Sequence, residues 1–256
     1  MSIDQTPGTP ATLVLVPGHW LGGWAWDEVV DSLTDERIPA ESVTLPGMDP
    51  AAPRRASSDL EDQASHLGEV VSRLADSAGP VVLVAHSGAN LPVMRLLGCR
   101  PELVDHVVWV DSGPQLDGAV AAPGLPEEVA EVPLPPFEEL GQQASLEGLS
   151  SAQLDRFRER SVPQPGPVMR GVLRVEDDRW QGIPATMICS SLTSQDVTAM
   201  AESGHPMMAP VTAVQHLDLV DLPTGHWPFW SRPADLAALL AERSRTVAEV
   251  RTVRSV

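Results

Sequence analysis

Apolar positions along this chain follow two periods. Short, largely apolar runs cover residues 12–16, 81–84, 106–110 and 185–189, the first of them bounded by Pro and Gly. Their length and β-branched content predict strands buried on both faces. Weaker runs over 42–45, ending at Pro46-Gly47, and over 216–220 predict two more strands. The intervening spacing is helical. A turn and helix are expected over 20–34. Leu60, Ala64, Leu67, Val71 and Leu74 share one face of a helix over 58–77. Further helices are expected from about 91 to 97 and from Pro233, in a first turn, to about 247. Strands alternating with helices imply right-handed crossovers, hence an α/β fold with a doubly wound, mostly parallel sheet covered on both faces.

Residues 114–180 break this alternation, being rich in Pro and Glu with short helical stretches and no strong strand. Such a segment is too long for a simple connection. The expected organisation is therefore a core of 1–113 and 181–256 carrying a small helical cap, or lid, over 114–180. Leu134, Phe137, Leu140 and Leu146 would give that lid an apolar face.

Composition removes several chemistries. The 256 residues include 35 Asp and Glu against 17 basic residues, all of them Arg, for a net charge of −18. Without Lys there is no Schiff base and no P-loop lysine, and without Tyr there is no tyrosine proton donor. An acidic surface argues against nucleic acid and anionic membrane as partners. The first twenty residues lack a basic start followed by an apolar run. No stretch approaches the ~20 apolar residues of a membrane span, so a soluble, cytoplasmic protein is expected. Cys99 and Cys189 match no zinc or disulfide pattern and are expected as small core residues. The histidines show no metal-ligand spacing, so neither a metal nor another cofactor is expected.

In a parallel sheet, chemistry collects at the carboxyl ends of the strands. The run over 81–84 leads into Ala85-His86-Ser87-Gly88-Ala89 and then a helix. A nucleophile on a sharp strand-to-helix turn needs small neighbours, and both outer positions of Gly-x-Ser-x-Gly are here Ala. The last strand is followed by Thr224-Gly225-His226-Trp227, which puts a loop histidine at the same edge as a candidate general base.

With Val16-Pro17-Gly18-His19-Trp20-Leu21-Gly22-Gly23-Trp24-Ala25-Trp26 at the start and Gly225-His226-Trp227-Pro228-Phe229-Trp230 near the end, the chain resembles the α/β-hydrolase superfamily. The Gly-Gly-Trp-Ala-Trp stretch is most similar to the branch of methyl-ester hydrolases and hydroxynitrile lyases. The resemblance implies an oxyanion hole from the backbone N–H groups of His19 and Gly88, with Pro17 standing where that family has His. It also implies a carboxylate to orient His226. Asp111, directly after the fourth strand, is preferred. Asp196, 30 residues before His226, is the alternative, although Thr193 and Asp196 equally fit a helix-start capping box.

Trp20 and Trp227 flank the proposed loops and are expected to line a pocket for a bulky apolar group. The expected function is a serine hydrolase acting on a small-molecule carboxylic ester or lactone. Two rivals share the frame: a lyase, disfavoured because the hydroxynitrile lyase branch uses a Lys, and a non-catalytic ligand-binding member.

Overall fold

The computed structural model describes residues 9–254 of the chain, so residues 1–8 of the segment read above for a leader lie outside it. Six strands form one parallel sheet: β1 Thr12–Val16, β2 Ala40–Ser42, β3 Val81–His86, β4 His106–Val110, β7 Ala185–Cys189 and β8 Leu217–Asp221, in the order β2-β1-β3-β4-β7-β8. Two short strands inside the insertion, β5 Glu131–Val132 and β6 Gln164–Pro165, pair antiparallel as a separate ribbon. No helix among the described residues is long and apolar enough to cross a membrane.

Alternate side chains of each central strand point to opposite faces, and both faces are apolar. Val14, Val16, Leu83, Ala85, Val107 and Trp109 pack on one side against α2 (Leu60–Ala78) and α3 (Asn90–Leu97). Leu13, Leu15, Val82, Val84, Val108 and Val110 pack on the other against α1 (Asp27–Asp35) and, from the end of the chain, α9 (Pro228–Ser231) and α10 (Pro233–Arg254). The insertion holds α4 (Phe137–Leu140), α5 (Ser151–Arg160) and α6 (Gly166–Arg170), while α7 (Ser194–Glu202) and α8 (Ala209–Thr212) follow β7.

The edges depart from the sequence pattern. Strand β2 forms over 40–42 rather than 42–45, because pairing follows the reach of β1, with Leu13 opposite Ala40 and Leu15 opposite Ser42. Val43 and Leu45 are buried, but as a loop dipping into the core. Cys189 is buried as expected. Cys99 is exposed instead, since α3 has already ended at Leu97 and the thiol lies in the exit turn beside Arg95.

The insertion is bolted to the core. Phe157 of α5 is fully buried, with ring centroids 5.5 Å from Trp227, 5.1 Å from Trp230 and 5.7 Å from Phe137. Around it, Arg156 reaches Asp27 and Glu28 at 3.2 and 3.1 Å, and Arg160 lies 4.3 Å over the ring of Trp24, which stacks on Trp230. Leu140 is buried in the same cluster and Leu134, Phe137 and Leu146 pack against it, so these positions of the 114–180 segment face the core.

His106 is buried in β4, its Nε2 2.9 Å from the Thr186 hydroxyl of β7. Burial, aided by nearby Arg243, pushes this imidazole down to about 3. Below the ordinary histidine value of 6.5, the unfolded chain therefore takes up a proton that the folded chain refuses. Stability falls as pH drops from 6.5 towards 3, at about 1.4 kcal/mol per unit for this residue. Denaturant unfolding at pH 7 and 5 is expected to show an acid-induced loss that is about 2 kcal/mol smaller in His106→Gln than in the parent.

Candidate active site

Strand β3 ends at His86, and the next residue turns sharply into a 3₁₀ turn and α3. Ser87 makes that turn at φ +51°, in the left-handed region that non-glycine residues seldom occupy. The cost of that backbone conformation holds the side chain up at the strand tips, as a nucleophile elbow requires. Asp111, one residue beyond β4, also has a positive φ, +42°.

These turns bring three groups from distant parts of the chain into line. His226 Nε2 lies 2.8 Å from Ser87 Oγ, and its Nδ1 lies 2.6 Å from Asp111 Oδ2. The second carboxylate oxygen of Asp111 accepts the backbone N–H groups of Ser190 and Ser191 at 3.1 and 2.8 Å, and the Ser191 hydroxyl donates to Oδ2 at 2.6 Å. Burial alone would raise the Asp111 carboxyl, but hydrogen bonds from His226 and Ser191 outweigh it and hold the group below the usual carboxylate range. An ionised Asp111 fixes Nδ1 of His226 as the protonated nitrogen, leaving Nε2 as acceptor for the serine proton.

Asp196 goes elsewhere. Its carboxylate accepts from the Thr193 hydroxyl and N–H at 2.6 and 3.1 Å, closing a capping box at the start of α7. The same contact, on an exposed group, lowers its pKa.

His226 is also held through its backbone. Its N–H donates to Ser145 O at 2.7 Å, the Gly225 N–H donates to Glu147 O at 3.2 Å, and its carbonyl accepts from His86 Nε2 at 2.7 Å. His86 must therefore carry its proton on Nε2. Its Nδ1 is buried without a partner, and burial, with His226 next to it, lowers the pKa. In sequence, His86 reads only as a filler of the turn. The signal that could have found it is parity: as the last residue of β3, His86 points beneath the loop that carries His226.

A cleft of about 440 Å³ opens beside this line, walled by His19, Ser87, Gly88 and His226 and by apolar groups including Val120 and Met208. The insertion contributes side chains from its first residues, between 114 and 121, rather than from its helices. Neither tryptophan expected in the pocket reaches it. Trp20 turns at φ +65° towards the ribbon, where its indole N–H donates to Val132 O at 3.1 Å and its backbone N–H to the Gln164 side chain at 3.3 Å. Trp227 is only 3% exposed and packs edge-on to His226 and Phe157 in the core. Trp227 stands at the N-cap of α9 and turns inward with Phe229 and Trp230. Among the described residues, the backbone N–H of His19 has no acceptor in the chain. No group of three or more His, Cys, Asp or Glu there could hold a metal ion.

The strand order, the strained serine turn and the late histidine define the α/β-hydrolase class of fold. The chain belongs to the alpha/beta hydrolase family, whose model matches residues 13–239. Solved structures agree at low identity. An extracellular α/β-hydrolase from Paenibacillus, described as sharing structural and functional homology with tobacco salicylic acid binding protein 2, superposes with a TM-score of 0.70 at 18% identity, covering 92% of this chain and 100% of the other. A methylesterase from Arabidopsis gives 0.66 at 18% identity, covering 96% and 100%. Tomato methylketone synthase I, complexed with 2-tridecanone, gives 0.69 at 16% identity, covering 93% and 99%. No curated protein matches the chain in sequence.

The backbone clamp on His226 has a mechanical consequence. A Cβ on Gly225 would overlap the backbone oxygens of Glu147 and Ser145. Gly225→Ala is expected to lower stability by about 1–3 kcal/mol, as overpacking of a rigid site does, and thermal unfolding checks this.

Proposed function

We propose that this protein is a serine hydrolase cleaving a neutral carboxylic ester or lactone with a sizeable apolar portion, and that residues 114–180 serve as its cap. One observation carries the reading: an unbroken hydrogen-bonded line from Ser87 Oγ through His226 to a buried Asp111 at the mouth of an apolar cleft.

In this mechanism His226 Nε2 takes the Ser87 proton as Oγ attacks the substrate carbonyl. Asp111 stabilises the imidazolium that forms, and the N–H groups of His19 and Gly88 hold the oxyanion. His226 then returns its proton to the leaving oxygen, leaving an acyl group on Ser87. Water, deprotonated by the same imidazole, releases it.

The cleft supports the substrate class. Its walls carry Leu91, Val120, Met187, Met208 and Val211, and no Arg lines it. Asp111 is the charged group at its base, and the whole chain bears −18. A free carboxylate would meet repulsion and no counter-ion there, whereas a neutral apolar group would be desolvated at little penalty.

Ser87→Ala is expected to retain the parent melting temperature while turnover of neutral aryl esters, and labelling by a fluorophosphonate, both disappear. Retained turnover would sink the reading. The two acids are separated by their asparagine variants: Asp111→Asn is expected to reduce kcat by about 10³–10⁴ by misorienting His226, with Asp196→Asn near the parent value. The opposite ranking in steady-state kinetics would exchange their roles.

A further inference from the structure

The Ser87–His226–Asp111 line leaves two titratable side chains of the cleft without a task, His19 and the buried Cys189. The ring of His19 is pressed so closely over Gly88 that a Cβ there would overlap its Cδ2, Nε2 and Cε1 atoms. It shares the cleft wall with Ser87 and His226 and meets Trp20 edge-on, with ring centroids 5.6 Å apart. Among the described residues, neither ring nitrogen of His19 has a hydrogen-bond partner. Neither nitrogen is among the buried polar atoms left without a partner, so both are open to solvent or substrate in the cleft.

We propose that the His19 imidazole is itself a catalytic residue, donating a side-chain hydrogen bond to the substrate oxyanion beside the backbone N–H groups of His19 and Gly88. The inference rests on the ester-hydrolase reading above. Gly88 supplies one of those N–H groups, and Nε2 of His19 is among the atoms lying closest over that same glycine. A donor seated there reaches the point where negative charge develops.

Electrostatics favour a neutral ring in this role. Burial, with His226 alongside, pushes His19 down to about 4. A neutral imidazole keeps one N–H to donate. It also adds no second cation to oppose the imidazolium that forms at His226 in the same step. His86, buried below the His226 loop, is likewise depressed by burial, so Asp111 and the imidazolium face each other without a competing positive charge.

Three variants test this, because every side-chain replacement at position 19 keeps the backbone N–H. His19→Phe keeps a planar ring in the seat over Gly88 and removes the donor. It is expected to lower kcat/KM for a neutral aryl ester by about ten- to a hundredfold, mostly through kcat, and to weaken binding of a trifluoromethyl ketone by a similar factor. His19→Gln restores an N–H and is expected to recover part of both losses, while His19→Ala should behave as Phe does. A loss confined to KM, unchanged ketone affinity, or equal deficits in the Phe and Gln variants would overturn the inference. If the parent shows Ser87-dependent turnover and His19→Phe matches it, this proposal alone fails. If the parent neither turns over esters nor binds the ketone, the hydrolase reading falls and takes this proposal with it.

Discussion

The organisation of the site depends on one buried carboxylate. Asp111 leaves β4 in a left-handed conformation and receives donors from Ser190, Ser191 and His226 on its two oxygens. An ionised group this enclosed is tolerable only when its lone pairs are filled. Three of those four hydrogen bonds come from the turn after β7, so the carboxylate ties the tips of two adjacent strands and leaves one position open. His226 takes it, and orientation of the imidazole towards Ser87 follows. Misplacing any one member would strand charge in an apolar setting, so the arrangement is self-enforcing.

What could be read from the chain and what could not divides along burial. Strands β1, β3, β4 and β7 announce themselves because both of their faces are buried and their runs are largely apolar. The edge strands do not. Strand β2 is half-buried along its length, and its apolar neighbours belong to a loop, while β8 has only partial cover. The ribbon of β5 and β6 holds two residues per strand, one a proline, and has no periodic trace at all. Ser87 is legible because it sits where a buried strand runs out, and His226 because the Gly225-His226-Trp227 loop follows the last strand at the same edge. The partner of His226 is legible only as a preference for Asp111, since Asp111 and Asp196 both occupy positions where helix or turn capping explains an aspartate. Only the alignment of β4 with β7 brings one of them beside Ser190 and Ser191.

The tryptophans show a second limit. A one-dimensional pattern gives proximity along the chain but not the direction of a side chain on an irregular loop. Trp20 and Trp227 flank the site in sequence, yet one braces the ribbon and the other the core beneath His226. The cleft is walled instead by small and flexible side chains drawn from separate segments of the chain. That leaves its shape to be set by how residues 114–121 settle against the turn that carries Met208.

The aromatic seam between α5 and the core has a spectroscopic corollary. With no Tyr and seven Trp in the chain, near-ultraviolet emission comes from indoles alone. Trp24, Trp227 and Trp230 meet Phe157 and Arg160 at that seam, while Trp109 and Trp180 are buried in the opposite layer. Undocking of α5 would therefore redden and quench intrinsic fluorescence while the sheet stayed whole, giving the protein a built-in optical gauge of how tightly that helix is packed.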